Sequence, residues 1–275
     1  MGRTVGIGIQ NFEKLITNQC FYIDKTDFIR QWWESGDDVT LIARPRRFGK
    51  TLNMNMTERF LSVEYAGQSQ VFEGLSIWNH EKYRKIQGTC PVICLSFADI
   101  KAGRFSLARE KICRAVRELY DKNDYLLTSG TLKKTEAEFF QRVSLEMTDS
   151  DAAYSLKALS LYLSRYYGKK VVILLDEYDT PLQEAWVYGY WQEMVEFIRG
   201  LFNSTFKTNP SLDRAIMTGI TRVSKESIFS DLNNLEVVTA TSEKYEDCFG
   251  FCEEEVWEAL KECGLYGERQ KIKEW

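Results

Sequence analysis

The stretch Val39-Thr40-Leu41-Ile42-Ala43-Arg44-Pro45-Arg46-Arg47-Phe48-Gly49-Lys50-Thr51 decides how the rest of the chain is read. Its first five residues are apolar or β-branched and predict a short buried strand. A basic loop follows at once. Beyond it Leu52, Met56, Phe60 and Val63 recur at helical spacing, so Gly49-Lys50-Thr51 opens a helix. Strand, loop and Gly-Lys-Thr at a helix start form the context of a P-loop. Loop and helix N-terminus present backbone N–H groups to phosphate oxygens. The lysine reaches the β- and γ-phosphates, and the threonine hydroxyl holds Mg²⁺. On this reading Arg46, Arg47, Phe48, Gly49, Lys50, Thr51 and Leu52 are the nucleotide-binding candidates, with Lys50 also catalytic. The pattern G-x-x-x-x-G-K-[ST] departs at its first position, where Arg44 stands in place of glycine. Taken alone, the segment also reads as a basic loop that merely starts a helix.

A second stretch changes that balance. Val171-Val172-Ile173-Leu174-Leu175 is the strongest strand signal in the chain, and it runs directly into Asp176-Glu177. An unbroken apolar run suits a parallel strand covered on both faces. Two carboxylates at its end form the Walker B pattern. Asp176 is then a metal candidate beside Thr51, and Glu177 is placed to orient and deprotonate an attacking water. The bland alternative is that the pair caps the next turn. Further on, Ala215-Ile216-Met217-Thr218 predicts another strand that ends in a polar residue. Thr218 is the candidate sensor of the γ-phosphate. Arg222, four residues later, is either a charge-neutralising catalytic residue or a surface arginine in a turn.

Other elements fill in around these. Phe21-Tyr22-Ile23 looks strand-like, and Phe28, Ile29, Trp32 and Trp33 predict a helix ending at Gly36. Further strands are expected at Pro91 to Phe97 and Glu236 to Thr239. Helices are expected over about 105–120, 135–146, 152–167, 191–203 and 253–263. Strands alternating with helices predict an α/β fold of the P-loop NTPase type, three layers α/β/α around a mainly parallel sheet. The divisions expected are a lead-in segment at 1–36, an ATPase core at 37–250, and a helical segment at 251–275. The chain ends abruptly at Lys271-Ile272-Lys273-Glu274-Trp275 and reads as one cut short.

Composition narrows the chemistry. The 275 residues are 44% hydrophobic and 28% charged, with a net charge of -4, which gives no global pull toward nucleic acid or an anionic membrane. No apolar run approaches a membrane span and the N-terminus lacks a signal region, so a cytoplasmic location is expected. The seven cysteines include no CxxC pair. Cys248, Cys252 and Cys263 could be suspected of zinc binding, but free thiols account for them as well. A single histidine, His80, in a polar stretch, leaves little room for triads or multi-histidine metal sites.

The motifs together resemble the AAA-ATPase-like bacterial family. The matching segments are Tyr22-Ile23-Asp24-Lys25-Thr26, Arg44 to Thr51, Leu174 to Asp179, Met217 to Phe229, and Phe249-Gly250-Phe251. The resemblance implies that the Arg-Pro-Arg-Arg-Phe-Gly-Lys-Thr loop is the family's own Walker A form. It also implies that ATP is the nucleotide, and that Tyr22 to Thr26 opens the ATPase domain. Members often continue into a nuclease-like domain of the restriction-endonuclease superfamily, through which a nucleic-acid or protein partner would be reached. Three functions stay open on the sequence: an ATPase driving a conformational change, a nucleotide-binding switch or scaffold with little turnover, and a nucleic-acid module using Arg44, Arg46 and Arg47. For those arginines, phosphate clamping, contact with an acidic partner, and pairing with Asp176, Glu177 and Asp179 are equally compatible with the pattern.

Overall fold

The computed structural model describes residues 3–220, 228–229 and 232–274. Arg222 and most of the expected segment after Thr218 lie outside the described residues. Five strands form one sheet: β1 (Val39–Ala43), β2 (Val92–Ser96), β3 (Val171–Asp176), β4 (Leu212–Gly219) and β5 (Leu235–Val238). Their order across the sheet is β2-β3-β4-β1-β5, and every pairing is parallel. β1 and β3 are buried along their whole length. That is why they read as unbroken apolar runs rather than alternating ones.

The helices in chain order are α1 (Phe12–Thr17), α2 (Asp27–Ser35), α3 (Lys50–Leu61), α4 (Glu81–Arg84), α5 (Phe105–Lys122), α6 (Lys134–Arg142), α7 (Asp149–Tyr167), α8 (Thr180–Tyr188), α9 (Trp191–Phe202), α10 (Glu253–Glu262) and α11 (Arg269–Glu274). Alternate side chains of each strand enter two separate cores. Leu41, Ile173, Leu175 and Met217 pack with α5, α7 and α9. Ile42, Val172, Leu174 and Ile216 pack with α1, α2 and α3. The sheet is therefore covered on both faces. The chain travels from β1 to β2 in one direction across the sheet, then returns through β3 and β4 in the other. Crossovers of one hand place helices on opposite faces when the direction reverses. This is why α3 sits on one face and α5, α7 and α9 on the other.

Two expectations need correction. Phe21 to Ile23 is not a strand. Both sides of β1, β3 and β4 are already taken, and the Tyr22 ring packs edge-on against Phe12 at 5.6 Å instead. The expected helix near 135–146 is shorter, at Lys134–Arg142. Residues 1–36 also do more than lead in: Phe12, Phe28, Ile29 and Trp32 are buried and complete one core. α1, α8 and the 3₁₀ turns between Val63 and Asn79 had no clear periodic signal. The helix ending at Gly36 and that ending at Gly168 stop as expected, both glycines being left-handed.

Candidate functional site

In a parallel sheet the strand C-terminal ends all face one way, and ligand clefts form there. Here that edge collects Arg44 just after β1, Asp176 at the end of β3 with Glu177 after it, and Gly219 at the end of β4. β4 lies between β1 and β3, and its last polar residue, Thr218, is registered beside Ile42. The backbone stitches the three exits together. Arg44 N–H donates to Gly219 O at 3.2 Å, and Tyr178 N–H donates to Thr218 O at 2.9 Å.

The loop between β1 and α3 leaves Pro45, Arg46, Arg47, Phe48 and Gly49 exposed. Gly49 is left-handed (φ 76°) and precedes α3 with no side chain capping the helix. Arg47 is also left-handed (φ 69°), unusual for a residue with a side chain. The N–H groups of the first helical turn have no intrahelical partners, so this mouth is suited to an anion. Thr51 and Leu52 are half-buried on that first turn. Lys50 is buried, 7% exposed, and its ammonium donates to the carbonyls of Arg44 and Pro45, each at 2.9 Å. Burial lowers its pKa, while Asp176, Glu177 and Asp179 pull it back up. The carboxylates at and just after the end of β3 thus favour the charged lysine, although its ammonium is bonded to the loop carbonyls.

Asp176 is buried and accepts a hydrogen bond from the Thr218 hydroxyl. The same hydroxyl oxygen accepts from Glu177 N–H at 3.3 Å. Thr218 thus ties Asp176 to the backbone of Glu177. Glu177 is half-buried with φ 51°, a left-handed position that costs a non-glycine residue about 1 kcal/mol or more. It is held by Thr180, whose hydroxyl donates to a Glu177 carboxylate oxygen at 3.1 Å. Strain of this kind concentrates at functional sites.

Asp179, which the sequence offered only within a matching segment and as one possible partner for the loop arginines, turns out to be central. It is 1% exposed, and its Oδ2 accepts from Ile220 N–H at 3.0 Å and from Gln183 Nε2 at 2.9 Å. A Cβ on Gly219 would lie 2.7 Å from Asp179 Oδ1 and 2.6 Å from the Tyr178 ring, so only glycine lets β4 pass so close. Nothing local in the sequence distinguished it from a surface turn residue.

Arg44 does not join the exposed loop arginines. It is 4% exposed and donates through Nη2 to Tyr245 O at 3.3 Å. Tyr22 to Thr26 is likewise structural. Asp24 accepts from Thr26 and from Ser76, and the Lys25 ammonium, 2.5 Å from each, binds Asp247 O and Glu255. All seven cysteines are free thiols, and burial pushes the Cys248 thiol up. His80 is surface-exposed, 4.0 Å from Asp27. Among the described residues no cluster of three His, Cys, Asp or Glu side chains is placed to hold a metal, and no helix is long and apolar enough to cross a membrane.

A parallel α/β sheet with an uncapped helix mouth, a buried lysine and carboxylates gathered at the strand ends is the setting in which the family match supports a general ATP-binding role. The chain belongs to the family described as Predicted AAA-ATPase, whose profile matches residues 6–229. It is also similar to an uncharacterized protein in the vnfD 5' region of Azotobacter chroococcum mcd 1, at 28% identity over 272 residues. That match covers 98% of this chain and 47% of the relative, so the chain spans about half the relative's length. No solved structure matches the chain.

Proposed function

We propose that residues 44–51 form a P-loop that binds ATP with Mg²⁺, and that the chain hydrolyses the nucleotide to drive a conformational change. The observation that carries this reading is buried Lys50, at the head of an uncapped helix, with its charge favoured by Asp176 and Glu177 at the end of β3. The amides from Arg46 to Leu52 cradle the phosphates. Lys50 exchanges its two loop carbonyls for β- and γ-phosphate oxygens. Thr51 and Asp176 offer one hydroxyl and one carboxylate, a hard-oxygen donor pair that suits Mg²⁺ held jointly with phosphates and water. Bound there, Mg²⁺ would neutralise charge on the phosphates. Glu177 orients the attacking water and takes its proton. Thr218 fixes the orientation of Asp176 through its hydroxyl. Arg222 is proposed to stabilise charge in the transition state.

Glu177→Gln is expected to keep ATP binding and lower turnover at least about a hundredfold, the span general-base catalysis contributes. Calorimetry and phosphate release measure the two quantities. Unchanged turnover would remove the assignment, and Lys50→Ala that binds ATP like the wild type would remove the site. A switch or scaffold with little turnover is the second reading. Its support is that Glu177 is tied to Thr180 rather than open to the site. Tight binding without phosphate release, with or without DNA or RNA present, would favour it. Exposed Arg46 and Arg47 are the candidates on this chain for contact with nucleic acid.

A further inference from the structure

Arg44 stands where the expected pattern has a glycine, and the structure shows where its side chain goes. It turns inward to the segment that follows β5, donating to Tyr245 O, while its Nε has no hydrogen-bond partner. Burial lowers its pKa. A guanidinium buried with so few partners is destabilising by itself. Its burial at the loop's first position therefore points to a role that a surface arginine would not have.

The same segment grips the other end of the loop. Gly250 N–H donates to Phe48 O at 3.1 Å. Gly250 has φ 79°, and a Cβ there would lie 2.9 Å from the Phe48 ring. Asn53 of α3 donates to Cys248 O at 2.9 Å in a buried contact. From the far side, Lys25 holds Asp247 O. Residues 245–250 thus form a strap pinned chiefly through its backbone. It touches the loop at its strand exit, Arg44, and just before its helix entry, Phe48. The arch between these two ties carries the left-handed Arg47, which relaxed chain would seldom adopt.

We propose that Arg44 and Gly250 are positioning residues for the phosphate cradle: the strap, rather than a glycine at position 44, holds the 44–49 loop in its binding shape. The proposal rests on the reading of that loop as the triphosphate site. It places a determinant of phosphate affinity about 200 residues along the chain from the loop, outside the family match at 6–229.

The test is calorimetry of inorganic tripolyphosphate and of ATP, each with Mg²⁺, on the full chain. Arg44→Ala and Gly250→Ala are expected to weaken both probes alike, by about tenfold or more, roughly 1.4 kcal/mol. Arg44→Lys, which keeps a donor for Tyr245 O, should recover part of the loss. Gly264→Ala is the control for simple backbone strain. It too replaces a left-handed glycine (φ 70°), but no atom would meet its Cβ, and it lies away from the loop contacts. It should lower the melting temperature and leave both affinities unchanged. If Gly250→Ala fails to fold, Phe48→Ala, which removes the ring packed on Gly250, gives the same readout. Wild-type tripolyphosphate affinity in the Arg44→Ala and Gly250 or Phe48 variants overturns the proposal. So does a loss confined to ATP, which would assign the strap to the nucleoside instead. If the wild type binds neither probe and Lys50→Ala changes nothing, the site itself falls, and the proposal with it.

Discussion

Thr218 carries the site's most economical piece of chemistry. Its hydroxyl donates to Asp176 and accepts from Glu177 N–H, so one buried side chain fixes both carboxylate-bearing residues. Thr218→Val keeps the shape and removes both bonds. Leaving Asp176 unpartnered in a buried place should cost about 1–3 kcal/mol of stability, read by urea denaturation. On the proposed mechanism, turnover should fall further than ATP affinity, because the metal-holding carboxylate loses its orientation before the phosphate cradle does. Equal affinity and equal turnover would show that Asp176 keeps its position without Thr218. Glu58 offers a pH test. It sits on α3 near Cys94 of β2 and Asn55, and burial raises its pKa above 4.5 despite the attraction of Lys122. The folded state therefore holds a proton that the unfolded chain releases earlier. Its stabilising effect is complete below about pH 4.5 and is lost as pH rises through the folded-state value. Glu58→Gln should raise the melting temperature at pH 7 and change it little at pH 4.

At the scale of elements, β4 is the strand on which the site depends. It separates β1 from β3, and its end passes close against both the Tyr178 ring and the Asp179 carboxylate. Gly219→Ala must push one of them aside. Overpacking of this kind costs about 1–3 kcal/mol. The expected result is a lower denaturation midpoint together with faster amide exchange at Ile220, whose N–H is held by Asp179. A variant as stable as wild type would mean that the turn at 177–179 has room to move. The turn is accessible to reasoning only in three dimensions. The strand and its terminal threonine were readable from the apolar run at 215–218, but the close passage over Asp179 depends on residues about forty positions apart.

At the scale of the whole molecule, the N-terminal segment is part of the fold rather than an appendage. Trp32 is fully buried and its indole N–H donates to Thr40 of β1 at 3.2 Å. With Phe12, Phe28 and Ile29 it closes the core on the α3 face of the sheet. Removing residues 1–36 would expose that face, and the shortened chain should lose cooperative thermal unfolding and bind a hydrophobic dye. The milder Trp32→Ala should cost about 3–5 kcal/mol by chemical denaturation, as expected when a large buried aromatic is cut back. A truncated chain that melts as sharply as the full one would show that α1 and α2 are dispensable.

The sequence by itself determined the elements and the loop chemistry. Strands β1 and β3 are legible because burial on both faces demands an unbroken apolar run. The helix at Lys50 and the stops at Gly36 and Gly168 follow from local periodicity and from backbone conformations that glycine tolerates. What only the tertiary structure decided was which distant residues meet. Arg44 read as one of three loop cations, yet it is buried against Tyr245. Thr218 read as the polar end of a strand, and its partner Asp176 appears only in the fold. Asp179 was one acid among many, yet it holds the end of β4. Local pattern reports whether a position is buried, but the partner of a buried polar group is fixed by how the sheet is ordered. That order, β2-β3-β4-β1-β5, is set by packing and crossover hand across the whole chain.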